Sequence, residues 1–432
     1  MPPLAQIQIH RHGQWHPAAS VEALGEDRAR VDYLPEYIFS DDPWPIALDL
    51  PVGFASMRAG DDFRPPAFLY DLVPQGKGRK LLVQLLGVAD HDGLVLPLVL
   101  AGAFNPIGAL RIDHAVAFYE DQARRNPPPP GMEHGFTFAD LAQRRESVLE
   151  HLSTHAMLAS GTTGVQGVAP KYLLTEDADG LLHADMSLPD HAARAHWLVK
   201  GPRNSSDDDR KVLRNEAAYL RVAAACGLRT HAIEQTVHQG DLLRLRRFDR
   251  VVTDHGVQRL AQESLASLAG MRGFGLPCRQ NALLRALRRH ASDPLADTIE
   301  FLRRDVLNLA MLNTDNHARN HAMQRLPDGR VQLTPLFDFA PMFRDPELIP
   351  RALHWADAGD VRLHAWSDIV PALGLPTDEA RAVVTALAGF APTVAALPDT
   401  MRDAGVDPDI IEACRASIDV QAEQLARLHV HA

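Results

Sequence analysis

Apolar positions in the first part of the chain come in short runs broken by proline: Ile7–His10, Asp32–Phe39, Pro45–Val52 and Gly108–Ile112. A piece with more helical spacing, Ala67–Val88, lies between them. The pattern predicts a small mixed α/β unit over residues 1–122. Residues 123–131 (ARRNPPPPG) hold four consecutive prolines, which are extended and stiff, and predict a linker. Phe138–Leu152 then has helical period, and Lys171–Thr175 and Gly180–Met186 flank a turn as a hairpin would. His196–Pro202 reads as a short strand ending on a lysine. Ser205–Leu228 reads as a helix with acidic residues at its start and Gly227 at its stop. Strands near Thr230–Gln239 and Asp241–Arg250 complete a small sheet, so residues 132–260 form a second α/β region.

From residue 261 to 432 the pattern turns helical. Leu295, Ile299, Leu302, Val306 and Leu309 alternate spacings of four and three, the mark of one buried helix face. Asp293 is placed to cap that helix, with Pro294 at its first position. Glu379–Leu397 and Pro408–Leu428 predict two further amphipathic helices. The fold class expected from this order is α+β, mixed α/β in the N-terminal part and mostly α-helical in the C-terminal part.

Composition adds little beyond an ordinary globular chain: 432 residues, 46% hydrophobic and 23% charged. The net charge of −11 argues against a chain that grips nucleic acid by itself. Cys226, Cys278 and Cys414 are scattered and odd in number, which suits a reducing compartment without a disulfide framework. The polar N-terminus and the lack of a long apolar run lead us to expect a cytoplasmic protein with no membrane contact. The 21 histidines stand singly, so they are read as surface or packed residues rather than metal ligands.

The chemistry concentrates between Asn313 and Asp338. Asp315 and Asn320 stand five apart, the spacing of the D-x-x-x-x-N loop in which an aspartate takes a hydroxyl proton and an asparagine holds Mg²⁺. Asp338, one hairpin further on, suits a second metal ligand, since phosphoryl transfer needs hard oxygen donors on Mg²⁺. Lys200 at a strand end and Glu216 in the following helix match the pair that kinases use to hold ATP phosphates. The loop 160–171 carries Gly161, Gly164 and Gly167, which let backbone N–H groups approach phosphate oxygens, together with Gln166 and Lys171. Thr162 and Thr163 within it are hydroxyls able to accept phosphate. His317 is read as an orienting or packing residue, and Arg319 either steadies phosphate charge or is a solvated loop arginine. Each motif alone is weak; their order, from Gly-rich loop through strand lysine and helix glutamate to the two aspartates, is that of a two-lobed kinase.

With NTDNHARNHAM, LTPLFDFAP, RRFDR and the G-V-Q…P-K loop in sequence, the chain resembles the HipA family of toxin kinases over its full length. The resemblance implies a two-lobed HipA/phosphatidylinositol-kinase-like fold and a Ser/Thr kinase using ATP and Mg²⁺. It implies Asp315 as catalytic base, Asn320 and Asp338 as Mg²⁺ ligands, and Lys200 as the ATP-phosphate lysine. Arg246 to Phe248 would form the hinge beside adenine, and Gln262 belongs to the Gln-Glu segment that opens the helical domain. It further implies a small DNA-binding, HipB-like antitoxin as partner, DNA contact only through that antitoxin, and an aminoacyl-tRNA synthetase as protein substrate. Autophosphorylation would fall on Thr163 or Thr162, with Ser160 in reserve. A non-catalytic ATP-binding co-repressor, and a small-molecule or lipid kinase, fit the same residues.

Overall fold

The structure is a computed structural model that describes residues 4–25, 28–54, 64–125, 127, 134–143, 148, 152, 171–202, 206–345, 347 and 349–429. The Gly-rich loop at 160–170, most of the proline run and most of the second half of Phe138–Leu152 lie outside these residues. The chain divides into two compact units, Met1–Arg203 with Val237–Gly273, and Asn204–Thr236 with Phe274–Ala432.

The first unit holds two antiparallel sheets. Strands β1 (Leu4–Arg11), β2 (Gln14–Gly25), β3 (Arg28–Tyr33) and β4 (Leu110–Ile112) are ordered β3-β2-β1-β4. In β1 the alternation buries Ala5, Ile7 and Ile9 on one face, the period of two that a half-buried strand requires. The helix Asp113–Arg125 follows β4, and Asp113 accepts the amide of Gln6 at its start. The second sheet orders β6 (Leu182–Ala184), β5 (Lys171–Glu176), β7 (Ala195–Lys200), β9 (Leu242–Arg246) and β8 (Val237–Gln239). One of its faces packs Leu174, Trp197, Val199 and Leu242 against Phe136 and Leu141.

The two sheets share a unit because a buried ionic network joins them. Asp249 accepts both Nε and Nη2 of Arg247, Nη1 of Arg250, and the amide of Gly108. Arg247 also donates to Asp185, which accepts from Thr175 and Asn105. All of these side chains are buried. Charges taken out of water in this way are held only if each is paired and hydrogen-bonded, and here they are. The expected boundary between 1–122 and 132–260 is therefore not a boundary between compact units.

The second unit is mostly helical. Its helices include Asp207–Ala225, Gln280–His290, Pro294–Ala310, Thr377–Ala388 and Pro408–Ala426. Asp293 caps Pro294–Ala310 by accepting the amide of Ala296, with Pro294 in the first turn as expected. Asp207–Ala225 is capped by Ser206 and ends before Gly227, whose φ of 77° is the left-handed geometry of a helix stop. That helix was expected with residues 132–260 but belongs to the helical unit. Its Tyr219 hydroxyl donates to the carbonyl of Met311 at 2.9 Å, and the ring packs on Phe339. Conversely, residues 261–273, expected with the helical part, belong to the first unit. Among the described residues no single helix is long and apolar enough to cross a membrane. Cys226, Cys278 and Cys414 are all free.

Candidate functional site

In the helical unit, Pro294–Ala310 ends through Leu312, which takes a left-handed φ of 54° and turns the chain sharply into the 313–321 loop. Asn313 fastens the exit, its backbone and side-chain amides donating to the backbone carbonyl and Oδ1 of Asn308. Asp315 stands in this loop with its side chain 24% exposed, open to solvent. The Nε2 of His317 lies 3.7 Å from its Oδ1, longer than a hydrogen bond. The Nδ2 of Asn320 donates to the backbone carbonyl of Asp315 at 2.8 Å, so base and metal-ligand candidates are brought together as expected. With its amide nitrogen so engaged, Asn320 turns its Oδ1 elsewhere; that oxygen is buried and has no hydrogen-bond donor. A buried amide oxygen without a donor costs free energy unless something electropositive meets it.

The Ala322–Arg325 and Val331–Leu333 hairpin then leads to Asp338. Asp338 adopts φ 50°, a conformation non-glycine residues rarely take and which tends to occur at functional sites. Its neighbours hold it there: Leu336 donates to the carbonyl of Arg229, and Phe339 is buried against Tyr219 at 5.2 Å between centroids. The amide of Phe343 donates to the carbonyl of Leu312, tying the segment after Asp338 to the start of the aspartate loop. Glu216 is buried in Asp207–Ala225, one turn before Tyr219. An amide oxygen with carboxylates suits Mg²⁺, which binds through one or two side chains plus substrate phosphates. Such binding needs no cluster of three His, Cys, Asp or Glu, and none occurs among the described residues.

In the first unit, Lys200 ends β7 and Lys171 begins β5, and the two are direct cross-strand partners. Opposed residues of an antiparallel pair project to the same face, so two cations stand side by side there. Lys200 is only 4% exposed. Leu173 and Leu198 lie one alternation further along the same face, followed across β9 by Leu243 and Leu245. Arg246 is the cross-strand partner of Trp197, and its guanidinium lies over that ring. Its side chain is therefore on the opposite face from Lys200, and a contact with a ligand beside Lys200 would have to come from the backbone. Phe248 follows in the bend between β9 and β10 (Arg250–Thr253), and Gln262 is half-buried with a buried Nε2 lacking an acceptor. Gly164, Gln166, Gly167, Thr162, Thr163 and Ser160 lie outside the described residues.

Sequence reasoning missed the support beneath the loop. Asp305, 1% exposed, accepts Nδ2 of Asn316 at 3.1 Å, Nε2 of Gln280 at 2.9 Å, Nε1 of Trp355 at 2.8 Å, and Nη2 of Arg351. Asn316 in turn accepts Nε2 of His321 at 2.7 Å through its Oδ1. Burial, reinforced by Arg304 nearby, pushes the His321 imidazole down to about 3, so it stays neutral near pH 7. The signal was present: Asp305 stands three residues after Leu302 and four before Leu309, on the helix face that the apolar spacing buries. Arg319 is not a solvated arginine, for it is buried with its guanidinium over Phe274.

Among known families, that of the HipA-like C-terminal domain matches residues 163–394, over half of the chain. A chain of the solved complex of the Shewanella oneidensis MR-1 toxin–antitoxin system HipA, HipB and its operator DNA is similar in fold. That match has 19% identity, covers 97% of each chain and reaches a TM-score of 0.63. No curated protein sequence matches the chain. The expected α+β class of HipA type is thus borne out.

Proposed function

Because the chain belongs to the family of the HipA-like C-terminal domain, we propose that it is an ATP- and Mg²⁺-dependent Ser/Thr protein kinase, acting as the toxin of a toxin–antitoxin pair. The observation that carries this reading is the pairing of Asp315 with Asn320 in one loop, with the Asn320 Oδ1 buried and without a donor. Mg²⁺ bound with ATP supplies charge neutralisation across the phosphates. Asn320 Oδ1 and the Asp338 carboxylate would hold it. Asp315 takes the proton from the attacking Ser or Thr hydroxyl. Lys200 and Lys171 offset phosphate charge. Leu173, Leu198, Leu243 and Leu245 give the same strand face an apolar character that suits a base.

The HipA-type fold, found in a complex with HipB and operator DNA, supports a small DNA-binding, HipB-like antitoxin as partner. DNA contact through that partner alone agrees with a net charge of −11. The protein substrate we favour is an aminoacyl-tRNA synthetase, and three free cysteines suit the cytoplasm. The test is transfer of labelled γ-phosphate in a cell extract with Mg²⁺. Label on one protein band of synthetase size is the expected result. Label on lipid or small molecules instead contradicts protein kinase activity, and ATP binding without any transfer favours a non-catalytic co-repressor.

A further inference from the structure

Two hydrogen bonds run side by side across the aspartate loop. One joins Asn320 Nδ2 to the carbonyl of Asp315; the other joins His321 Nε2 to the Oδ1 of Asn316. Each links a residue at the start of D-x-x-x-x-N to one at its end, and the second pair is displaced from the first by one residue. The outer pair carries the groups that face chemistry. The inner pair faces the core: Asn316 and His321 are each 2% exposed, and the His321 ring meets Phe301 edge-on at 5.0 Å.

The direction of the inner bond is fixed by what lies beneath it. Asp305 has only acceptors to offer, so Asn316 must turn its Nδ2 toward Asp305 and its Oδ1 toward His321. Asp305 cannot swing to another partner, since Gln280 and Trp355 hold its Oδ2, while Arg351 shares Oδ1 with Asn316. Arg351 lies in the segment that follows Asp338 and also donates to the carbonyl of Leu353. One buried carboxylate thereby fastens the aspartate loop and the chain beyond the second metal-ligand candidate.

Resting on the kinase reading above, we propose that Asn316 and His321, oriented by Asp305, are positioning residues that fix the separation of Asp315 from Asn320. Neither touches substrate. Their backbone neighbours do, and a shift of the inner pair displaces Asn320 Oδ1 from the site where a cation must meet it.

A merely stabilising network would make a different prediction, and His321→Phe separates the two. Phenylalanine keeps the ring packed on Phe301 and removes the buried imidazole nitrogen that lacks a partner, so the fold is retained. What it removes is the donor to Asn316. The readout is ATP affinity by calorimetry with and without Mn²⁺ as the probe cation. Loss of outer support around metal ligands commonly costs about 10- to 100-fold in metal affinity. His321→Phe should lose that much in the Mn²⁺-dependent part alone, with metal-free ATP binding unchanged and the thermal midpoint lowered only by the buried Asn316 Oδ1 left without its donor. His321→Gln, which restores an N–H donor, should recover most of the loss. The double variant Asn316→Ala/His321→Phe should lose no more than the larger single change, because both break the Asn316–His321 bond.

Unchanged Mn²⁺ dependence in His321→Phe, equal losses with and without metal, or additive single changes would each overturn the proposal. A parent protein that binds ATP with metal dependence but transfers no phosphate removes the kinase reading and leaves this one standing. A parent protein without metal-dependent ATP binding removes this one as well.

Discussion

Glu263 gives the fold a pH dependence opposite in sign to that of a salt-bridged carboxylate. The side chain is buried, with Oε2 accepting the amide of Leu48 at 2.7 Å and Oε1 accepting the Ser267 hydroxyl at 2.6 Å. Desolvation pushes its carboxyl up from 4.5 to about 8, and Asp71 and Asp49 add to the rise against those two hydrogen bonds. The unfolded chain therefore releases this proton near pH 4.5, whereas the folded protein keeps it until about pH 8. Stability from this group is complete below the lower value and is lost as pH rises through the window. Each pH unit is worth about 1.4 kcal/mol, so the loss reaches about 3 kcal/mol at neutral pH and about 5 kcal/mol at its upper end. Glu263→Gln cannot ionise, keeps an acceptor for Leu48, and offers Ser267 an N–H. Its second amide hydrogen is left buried at a cost of about 1–3 kcal/mol. Urea unfolding followed by tryptophan fluorescence, at about pH 5, 7 and 8.5, should therefore show the parent ahead by up to about 2 kcal/mol at the acid end. At the basic end the variant should be ahead by about 2 kcal/mol or more. Parallel profiles across the range, or a variant that gains on acidification, would refute the reasoning.

Other changes follow from the same structure. Asp249→Asn leaves Arg247 and Arg250 buried with only Asp185 to balance them, and should destabilise the first unit by about 3–5 kcal/mol in urea titrations. Because these charges are buried, added salt should not restore it. Phe301→Ala empties a fully buried ring site on Pro294–Ala310 and should cost about 3–5 kcal/mol by thermal unfolding. Lys200→Met should weaken ATP binding while leaving adenosine binding little changed, as calorimetry with the two ligands would show, since the proposed kinase reading gives the lysine the phosphate chain as its partner.

The sequence was legible where one period or one cap decides the outcome. Asp293 with Pro294 at one helix start, and Gly227 at another helix's stop, were signals that the structure keeps, because each is settled locally. The closeness of Asp315 and Asn320 was readable from their spacing of five, which brings the two within one hydrogen bond. The buried face of Pro294–Ala310 was not. Leu295, Ile299 and Leu309 proved only half-buried, while Asp297, Thr298, Phe301, Arg304, Asp305 and Asn308 are inside. An apolar period counts only side chains that need no partner. A buried aspartate is stable only through Gln280, Asn316, Arg351 and Trp355, which come from 25 positions before it to 50 after. The grouping of Asp207–Ala225 with the helical unit was hidden for the same reason, because it rests on the distant contacts of Tyr219 with Met311 and Phe339.

The central claim is that Asp315 serves as the base of phosphoryl transfer. The most direct measurement is single-turnover transfer of the ATP γ-phosphate by purified parent protein and Asp315→Asn, with Mg²⁺ and with ATP affinity measured in parallel. The account predicts that the variant binds ATP as the parent does and loses transfer by about 10²- to 10⁴-fold. A variant that transfers phosphate at the parent rate would contradict it.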